Sequence, residues 1–273
     1  MNQVSLSDLE FAQFQHFIFE AAGITLATNK KALVSGRLAK RLHQNALGSY
    51  AEYLKLLASG TAPEEVQTAV DLLTTNETYF FREPKHFDFL RKEAIAANRG
   101  GQPFRIWSAA SSSGEEAYSI AMVLADCLTT RPWEVIGSDI SARVLQRARL
   151  GHYPEQRATH IPPAYRKRFC LKGTGAQAGT LLIERSLRSR VQFVHVNLNT
   201  SLPAMGAFDI IFLRNVLIYF SADTKRQVIA RLIAQLKPGG HFLVGHSESL
   251  HDLTTTVQAI APSIYRKPVQ GAP

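Results

Sequence analysis

Through the first ~75 residues, apolar positions recur at helical spacing and nowhere alternate. Ser7 and Glu10 have the spacing of a capping box. Phe14, Phe17, Ile18 and Ala21 continue an apolar face behind it, up to a stop at Gly23. A second helix is expected from about Lys30 to Leu47, ending at Gly48. Ser49 and Glu52 cap a short third, and Pro63-Glu64-Glu65 reads as the first turn of a fourth. From Phe104 onward, apolar runs alternate with helical stripes, which predicts an α/β unit with a mostly parallel sheet. The expected strands are Phe104–Ala109, Val135–Asp139, Val191–Leu198, Phe208–Leu213 and His241–Gly245. Val228, Ile229, Leu232, Ile233 and Leu236 stripe the helix between the last two, and KPGG (Lys237 to Gly240) is expected to turn the chain back. The stretch from Tyr153 to Arg190 is too long for a simple connection. Its glycine-rich GTGAQAG lies between strand-like runs, so it reads as an inserted antiparallel hairpin or small sheet.

Composition narrows the class without naming a function. The 273 residues can bury a full core, and 45% hydrophobic with 19% charged content is that of an ordinary globular chain. No apolar run approaches the ~20 residues that span a bilayer, and Met1 to Glu10 lacks the pattern of a leader. Cys127 and Cys170 are too few for a disulfide framework or a thiolate metal cluster, so a cytoplasmic protein without membrane insertion or a metal is expected. The formal charge of +9 calls for an anionic partner, of which nucleic acid, a membrane surface and an acidic protein are all examples.

The segment RIWSAASSSGEEAYSIAM (Arg105 to Met122) starts as a nucleotide-binding strand, turn and helix, but Glu115 and Glu116 stand where phosphate would bind. Carboxylates at a helix N-terminus contribute roughly 0.3–1 kcal/mol each, so capping alone accounts for one of them. Asp139 ends the second strand, at the position from which an acid bonds ribose hydroxyls, and Arg214 and Asn215 end the fourth at the same sheet edge. A cradle offering carboxylates to a sugar and an amine, with no phosphate nest, suits S-adenosylmethionine. Upstream, TTNETYFFREP (Thr74 to Pro84) is dense in polar groups for a linker. Tyr79, Phe80 and Phe81 read as an aromatic staple, whereas Asn76, Thr78 and Arg82 could converge on a ligand from one helical turn.

The motifs NETYFFRE, SAASSSGEEAYSIAM, GSDIS, VNL, FLRNVLIYF and LKPGGHFLVGHSES occur in an order that resembles the chemotaxis receptor methyltransferases, the CheR-type protein-glutamate O-methyltransferases. The resemblance covers nearly the whole chain. It implies an N-terminal all-α domain (1–75), a linker contributing to the cofactor site (76–103) and a Rossmann-like S-adenosylmethionine-dependent domain (104–273) with a small β-subdomain inserted at 155–190. It also implies cofactor contacts from Asn76, Thr78, Arg82, Glu116, Asp139, Asn197, Leu198, Arg214 and Asn215. Glu116 would take the amino-acid end, Asp139 the ribose, and Asn197 and Leu198 would border the adenine. Tyr219 resembles the tyrosine that meets the substrate side chain beside Arg82. Glu115 and Tyr118 are left to capping and packing.

The implied reaction methylates chemoreceptor glutamates, giving methyl esters and S-adenosylhomocysteine. A glutamate with a reference pKa of about 4.3 is already ionised at neutral pH, so alignment is needed rather than a general base or a metal. Arg82 would hold the acceptor charged and Tyr219 would guide it. His241 and His246, read as facing each other across a strand, fit no usual zinc spacing; Ser247 and Glu248 lack a triad histidine; Cys170 reads as an inert thiol.

Lys30, Arg37 and Arg41, with Lys40 at their edge, form a basic stripe that either is a solvated face or meets the acidic receptor. Family resemblance favours the receptor's cytoplasmic methylation region. The inserted segment could add a strand from the receptor's C-terminal peptide, though Arg166, Lys167, Arg168 and Lys172 fit an ordinary surface equally well. Two other readings stand beside this one. A nucleic-acid methyltransferase would commonly carry an Asn/Asp-Pro-Pro-aromatic motif where RNVLIY stands; a non-catalytic receptor-binding module would keep the cofactor pocket as a sensor, and nothing in the sequence favours it.

Overall fold

A computed structural model describes residues 4–98 and 101–269. The outermost residues of the ranges 1–75 and 104–273, and residues 99–100 of the connecting range, lie outside it. Ser7 and Glu10 form the reciprocal capping box, and Gly23, left-handed at φ 72°, ends α1 (Asp8–Ala22). Three more helices follow, α2 (Lys31–Gln44), α3 (Tyr50–Ala58) and α4 (Pro63–Leu73). Phe14, Ile18, Val34, Leu38, Tyr50, Tyr53 and Leu73 pack into the core of this bundle. At α3 only half of the expected box exists: Ser49 caps the Glu52 amide, while the Glu52 carboxylate accepts from Gly48 instead.

The remaining elements are α5 (Pro84–Ala97), β1 (Phe104–Ala109), α6 (Glu115–Cys127), β2 (Trp133–Asp139), α7 (Ala142–Leu150), β3 (His152–Pro154), α8 (Pro163–Phe169), β4 (Cys170–Lys172), β5 (Thr180–Ile183), α9 (Arg185–Arg188), β6 (Val191–His195), β7 (Phe208–Leu213), α10 (Ala222–Ala234), β8 (Leu236–Val244), β9 (Gln258–Ala261) and β10 (Ile264–Arg266). The main sheet has the order β6-β2-β1-β7-β8-β10-β9. β6, β2, β1, β7 and β8 pair in parallel, and β10 runs antiparallel to both its neighbours. Strand order therefore reverses at β1, which opens a crevice at the carboxyl ends of β1, β2 and β7, where open α/β sheets take ligands.

Two expectations need correction. KPGG makes no turn: it lies within β8, where the pairing with β7 jumps from Phe208↔Leu236 to Ile210↔His241. Gly239 at φ 77° supplies the left-handed residue such a bulge requires, and a Cβ on Gly240 would stand 2.9 Å from the Asp209 carbonyl. The insert is a three-stranded sheet, β3-β5-β4, whose first strand starts at His152, ahead of the boundary expected at 155. β9 and β10 have no counterpart among the expected strands.

The bundle is seated directly on the sheet unit. The Asp71 carboxylate accepts the Ala142 and Arg143 amides at the start of α7 (2.9 and 3.0 Å), a helix cap supplied from α4. The chain after α1 forms a bridge from Ile24 to Phe220, and the Thr25 amide donates to the Tyr219 carbonyl at 2.8 Å. One wall of the crevice is thus built by the N-terminal helices.

Candidate functional site

All nine residues expected around a cofactor, together with Tyr219, line one cavity at the crevice, about 880 Å³ counted out to its open mouth. Ala22 and Ile24 from the bundle also line it. Asn76 and Thr78 do not sit on a helical turn. Residues 75–79 belong to no helix or strand and 80–83 form the turn into α5; exposure alternates along the segment, with Asn76 and Thr78 half-buried between exposed neighbours, and both line the cavity. The segment is held by its backbone: Ser112 Oγ donates to the Asn76 carbonyl (3.0 Å), and Ser119 Oγ accepts from the Phe81 amide (3.0 Å). Phe80 and Phe81 are buried as expected; Tyr79 stays on the surface beside His160.

The charged groups are ordered by partners distant in sequence. Arg214, its side chain 1% exposed, donates to Glu116 Oε2 (2.8 Å), to Glu83 Oε2 (2.9 Å) and to the Arg82 carbonyl. Glu116 also accepts from Ser108 Oγ at 2.7 Å. Burial opposes the Glu83 charge, but Arg214, the His246 amide and Asn215 outweigh it and hold the carboxyl near 2. Arg214 is therefore a fastening between β7, α5 and α6 as well as a lining residue. Asn215, left-handed at φ 58°, gives its amide to Glu248 Oε2 (2.8 Å); the same carboxylate accepts from Gly245 and Leu217 (2.7 and 2.8 Å). Glu248, set aside from catalysis by its sequence context, thus shapes the loop that carries Tyr219.

Asp139 is buried at the end of β2, with Oδ2 accepting the Ser112 amide and Oδ1 the Ser141 amide, both at 2.9 Å. Burial pushes its carboxyl up to about 6, against those two hydrogen bonds. Asn197 bonds the Ala21 carbonyl (2.8 Å) and accepts from the Asn199 amide (2.9 Å), while buried Leu198 supplies apolar wall. Arg82 differs from its neighbours. Its guanidinium touches the Glu77 carbonyl at 3.1 Å and lies over the Tyr79 ring, and among the described residues no carboxylate pairs with it. Five non-glycine residues around the cavity, Phe81, Glu83, Ala110, Ser112 and Asn215, hold positive φ, each at a cost of about 1–3 kcal/mol that the surrounding contacts offset.

The basic stripe on α2 is not a free surface throughout. Arg37 donates to the Leu73 and Thr74 carbonyls (3.2 and 3.0 Å), and Arg41 pairs with Glu65, which also accepts from Tyr53 at 2.6 Å. Lys30 and Lys40 remain exposed. The two histidines do not face each other: His241 packs on Phe89 near Glu93, and His246 on His86 near Glu83. Glu83, His86 and His246 come close enough for a metal set, yet the Arg214 cation already sits on Glu83 Oε2, and Oε1 receives Asn215 and the His246 amide. A second cation there would be repelled at contact distance. Burial pushes the Cys170 thiol up to about 12, which makes it inert at neutral pH.

Residues 76–265 match the family model described as the CheR methyltransferase SAM binding domain, and residues 9–74 match its all-alpha domain. The chain belongs to the CheR methyltransferase family. It is 39% identical over 266 residues to the chemotaxis protein methyltransferase of Escherichia coli, covering 96% of this chain and 92% of that one. It is 40% identical over 259 residues to chemotaxis protein methyltransferase 2 of Pseudomonas aeruginosa, covering 94% and 92%. As a member of the CheR family the chain is an S-adenosylmethionine-dependent methyltransferase with an all-α domain ahead of its α/β domain.

The cavity fits that cofactor. Carboxylates at Glu116 and Asp139 suit an ammonium and ribose hydroxyls, Val196 and Leu198 offer a flat apolar wall, and Ser111 Oγ is a buried hydroxyl on the lining with no protein partner. Phosphate is refused: the Ser112 amide is spent on Asp139, the Gly114 amide on the Ser111 carbonyl, and two glutamates open α6.

Proposed function

We propose that the chain methylates glutamate side chains in the cytoplasmic methylation region of chemoreceptors. The observation that carries this reading is the contrast at the cavity: carboxylates and amides line its interior, and one arginine without a carboxylate partner, Arg82, stands among them. When bound, S-adenosylmethionine supplies an electrophilic methyl group carried on sulfur. Glu116 binds its amino-acid end, held in place by Ser108 and Arg214; Asp139 accepts from the ribose; Asn76, Thr78, Asn197, Leu198 and Asn215 complete the enclosure. Arg82 keeps the incoming carboxylate ionised and Tyr219 orients it. No helix among the described residues is long and apolar enough to cross a membrane. Incubation with methyl-labelled cofactor tests the assignment: base-labile label on receptor glutamates supports it. Label on nucleic acid, or binding without transfer, overturns it.

Asp139 gives the binding step a pH signature. Its carboxyl lies at about 6 in the protein, above the ordinary 3.8, so the folded chain holds this proton more tightly than the unfolded one. Its contribution to stability is greatest at acid pH and declines as pH rises through about 6. Ribose recognition needs the ionised form. Affinity for S-adenosylhomocysteine is expected to be flat above pH ~7 and to fall about tenfold per unit below pH ~5.5. In Asp139→Asn, that slope should vanish in calorimetric titrations.

Docking rests on Lys30 and Lys40, because Arg37 and Arg41 are needed to hold α4 and α2 together. Reversing both lysines to Glu is expected to raise KM for receptor severalfold, more at low salt, with S-adenosylhomocysteine affinity unchanged. An unchanged receptor KM would remove this face from the interface. The insert takes a peptide from the receptor's C-terminus as an added strand; what supports this reading is that β4 is an edge strand beside a groove lined by Arg166, Lys167 and Lys172.

A further inference from the structure

Arg157 belongs to the short 3₁₀ turn Glu155–Ala158 of the inserted segment, outside the residues that line the cavity. Its guanidinium nevertheless reaches the wall of the cofactor cavity. One Nη donates to the Thr78 carbonyl at 2.9 Å and lies 2.5 Å from Glu115 Oε1, off the line of a hydrogen bond. Glu115 is fully buried, and its other oxygen accepts from Ser113 Oγ at 2.8 Å. The neighbouring β3 makes a parallel contact: Tyr153 donates to the Ser113 carbonyl at 2.7 Å and packs edge-on against Phe80.

We infer that Arg157 is a positioning residue for methyl transfer, through which the inserted subdomain sets the conformation of the Asn76–Arg82 segment. Residues 75–79 have no ladder partner of their own, so their backbone is only as fixed as its side-chain partners make it. Within the Asn76–Arg82 segment, Arg82 reaches the Glu77 carbonyl; from outside it, Ser112, Arg157, Ser119 and Arg214 hold the backbone at Asn76, Thr78, Phe81 and Arg82. Ser112 and Ser119 come from the loop before α6 and from α6 itself. Arg157 alone comes from the insert, and its side chain is 36% exposed, so it sits where movement of the small sheet would reach it. Holding the carbonyl of Thr78 restricts the torsions on either side of it, and with them the way Asn76 and Thr78 face the cavity and the placing of Arg82 four residues on. Anything that shifts the insert, such as a peptide added to its edge, therefore acts on cofactor affinity and on the acceptor arginine through one side chain.

A structural role for Arg157, the neutralisation of buried Glu115, is separable by experiment. Glu115→Gln removes the buried charge while leaving Arg157 on the Thr78 carbonyl; Glu115→Gln with Arg157→Met removes both. The inference, which rests on the function proposed above, expects Glu115→Gln to bind S-adenosylhomocysteine as the parent does. The double variant should melt with Glu115→Gln and bind about tenfold more weakly, the order of one hydrogen bond to a charged group. Arg157→Lys in the Glu115→Gln background should restore most of the loss. If the double variant binds as tightly as the parent, the inference is overturned and Arg157 is only a counter-ion. If the parent itself takes up no S-adenosylhomocysteine, the proposed function fails instead.

Discussion

Arg214→Met is expected to lower the melting temperature by roughly 10 °C and to abolish measurable cofactor binding. The substitution keeps much of the volume but leaves Glu83 and Glu116, each now held within 3 Å of the guanidinium, without a counter-charge in a buried setting. Breaking a buried pair from one side costs about 3–5 kcal/mol, and a chain of this size shifts by about 2–4 °C per kcal/mol. The pH dependence identifies the cause. Glu83 is held near 2 against an ordinary 4.5, so its contribution to stability is complete above pH ~4.5 and lost as pH falls through about 2. The variant has no such contribution. The gap between the two proteins, measured by thermal unfolding, should therefore narrow across that acid window. Glu83→Gln in the Arg214→Met background should recover part of the loss at neutral pH. A neutral-pH melting point within a few degrees of the parent would show that the fastening carries little energy.

Arg82→Ala is expected to reduce kcat for receptor glutamate roughly 10²-fold while S-adenosylhomocysteine affinity moves only a fewfold. The asymmetry follows from the surroundings of Arg82. It spends one hydrogen bond on the Glu77 carbonyl and an aromatic face on Tyr79, and has its charge left for a ligand. A carboxylate entering the cavity loses water, which raises its pKa; a neighbouring arginine reverses that by about 1–3 units and aligns the nucleophile as well. Without it, the rate should fall further on the acid side, because more of the bound acceptor is protonated. Arg82→Lys keeps the charge without the planar fork and should fall between the two. Equal losses in cofactor affinity and in kcat would assign Arg82 to cofactor binding alone.

The sequence by itself determined whatever depends on local periodicity or on a residue's place at the end of an element. The helical bundle follows from spacing and caps at Ser7, Gly23 and Pro63, and the five parallel strands from apolar runs separated by helical stripes. Glu116, Asp139 and Arg214 meet at one cavity because each stands at or just beyond the carboxyl end of a strand in a sheet whose order reverses at β1. Family motifs then gave those residues names and roles. What only the tertiary structure decided are partnerships between groups far apart in the chain, which leave no period to detect. Arg214 finds Glu83 and Glu116 at separations of 131 and 98 residues, Arg157 finds Thr78 at 79, and Arg37 is drawn from an expected docking face onto carbonyls at the end of α4. KPGG, read as a turn from its glycines and proline, becomes a bulge because β7 is there to pair with it. Asn76, Thr78 and Arg82, read as converging from one helical turn, lie on a stretch without helix or strand that runs into a turn, its backbone held by Ser112, Ser119 and Arg157 from elsewhere in the chain. A side chain's chemistry is local, but its counter-charge is chosen by packing.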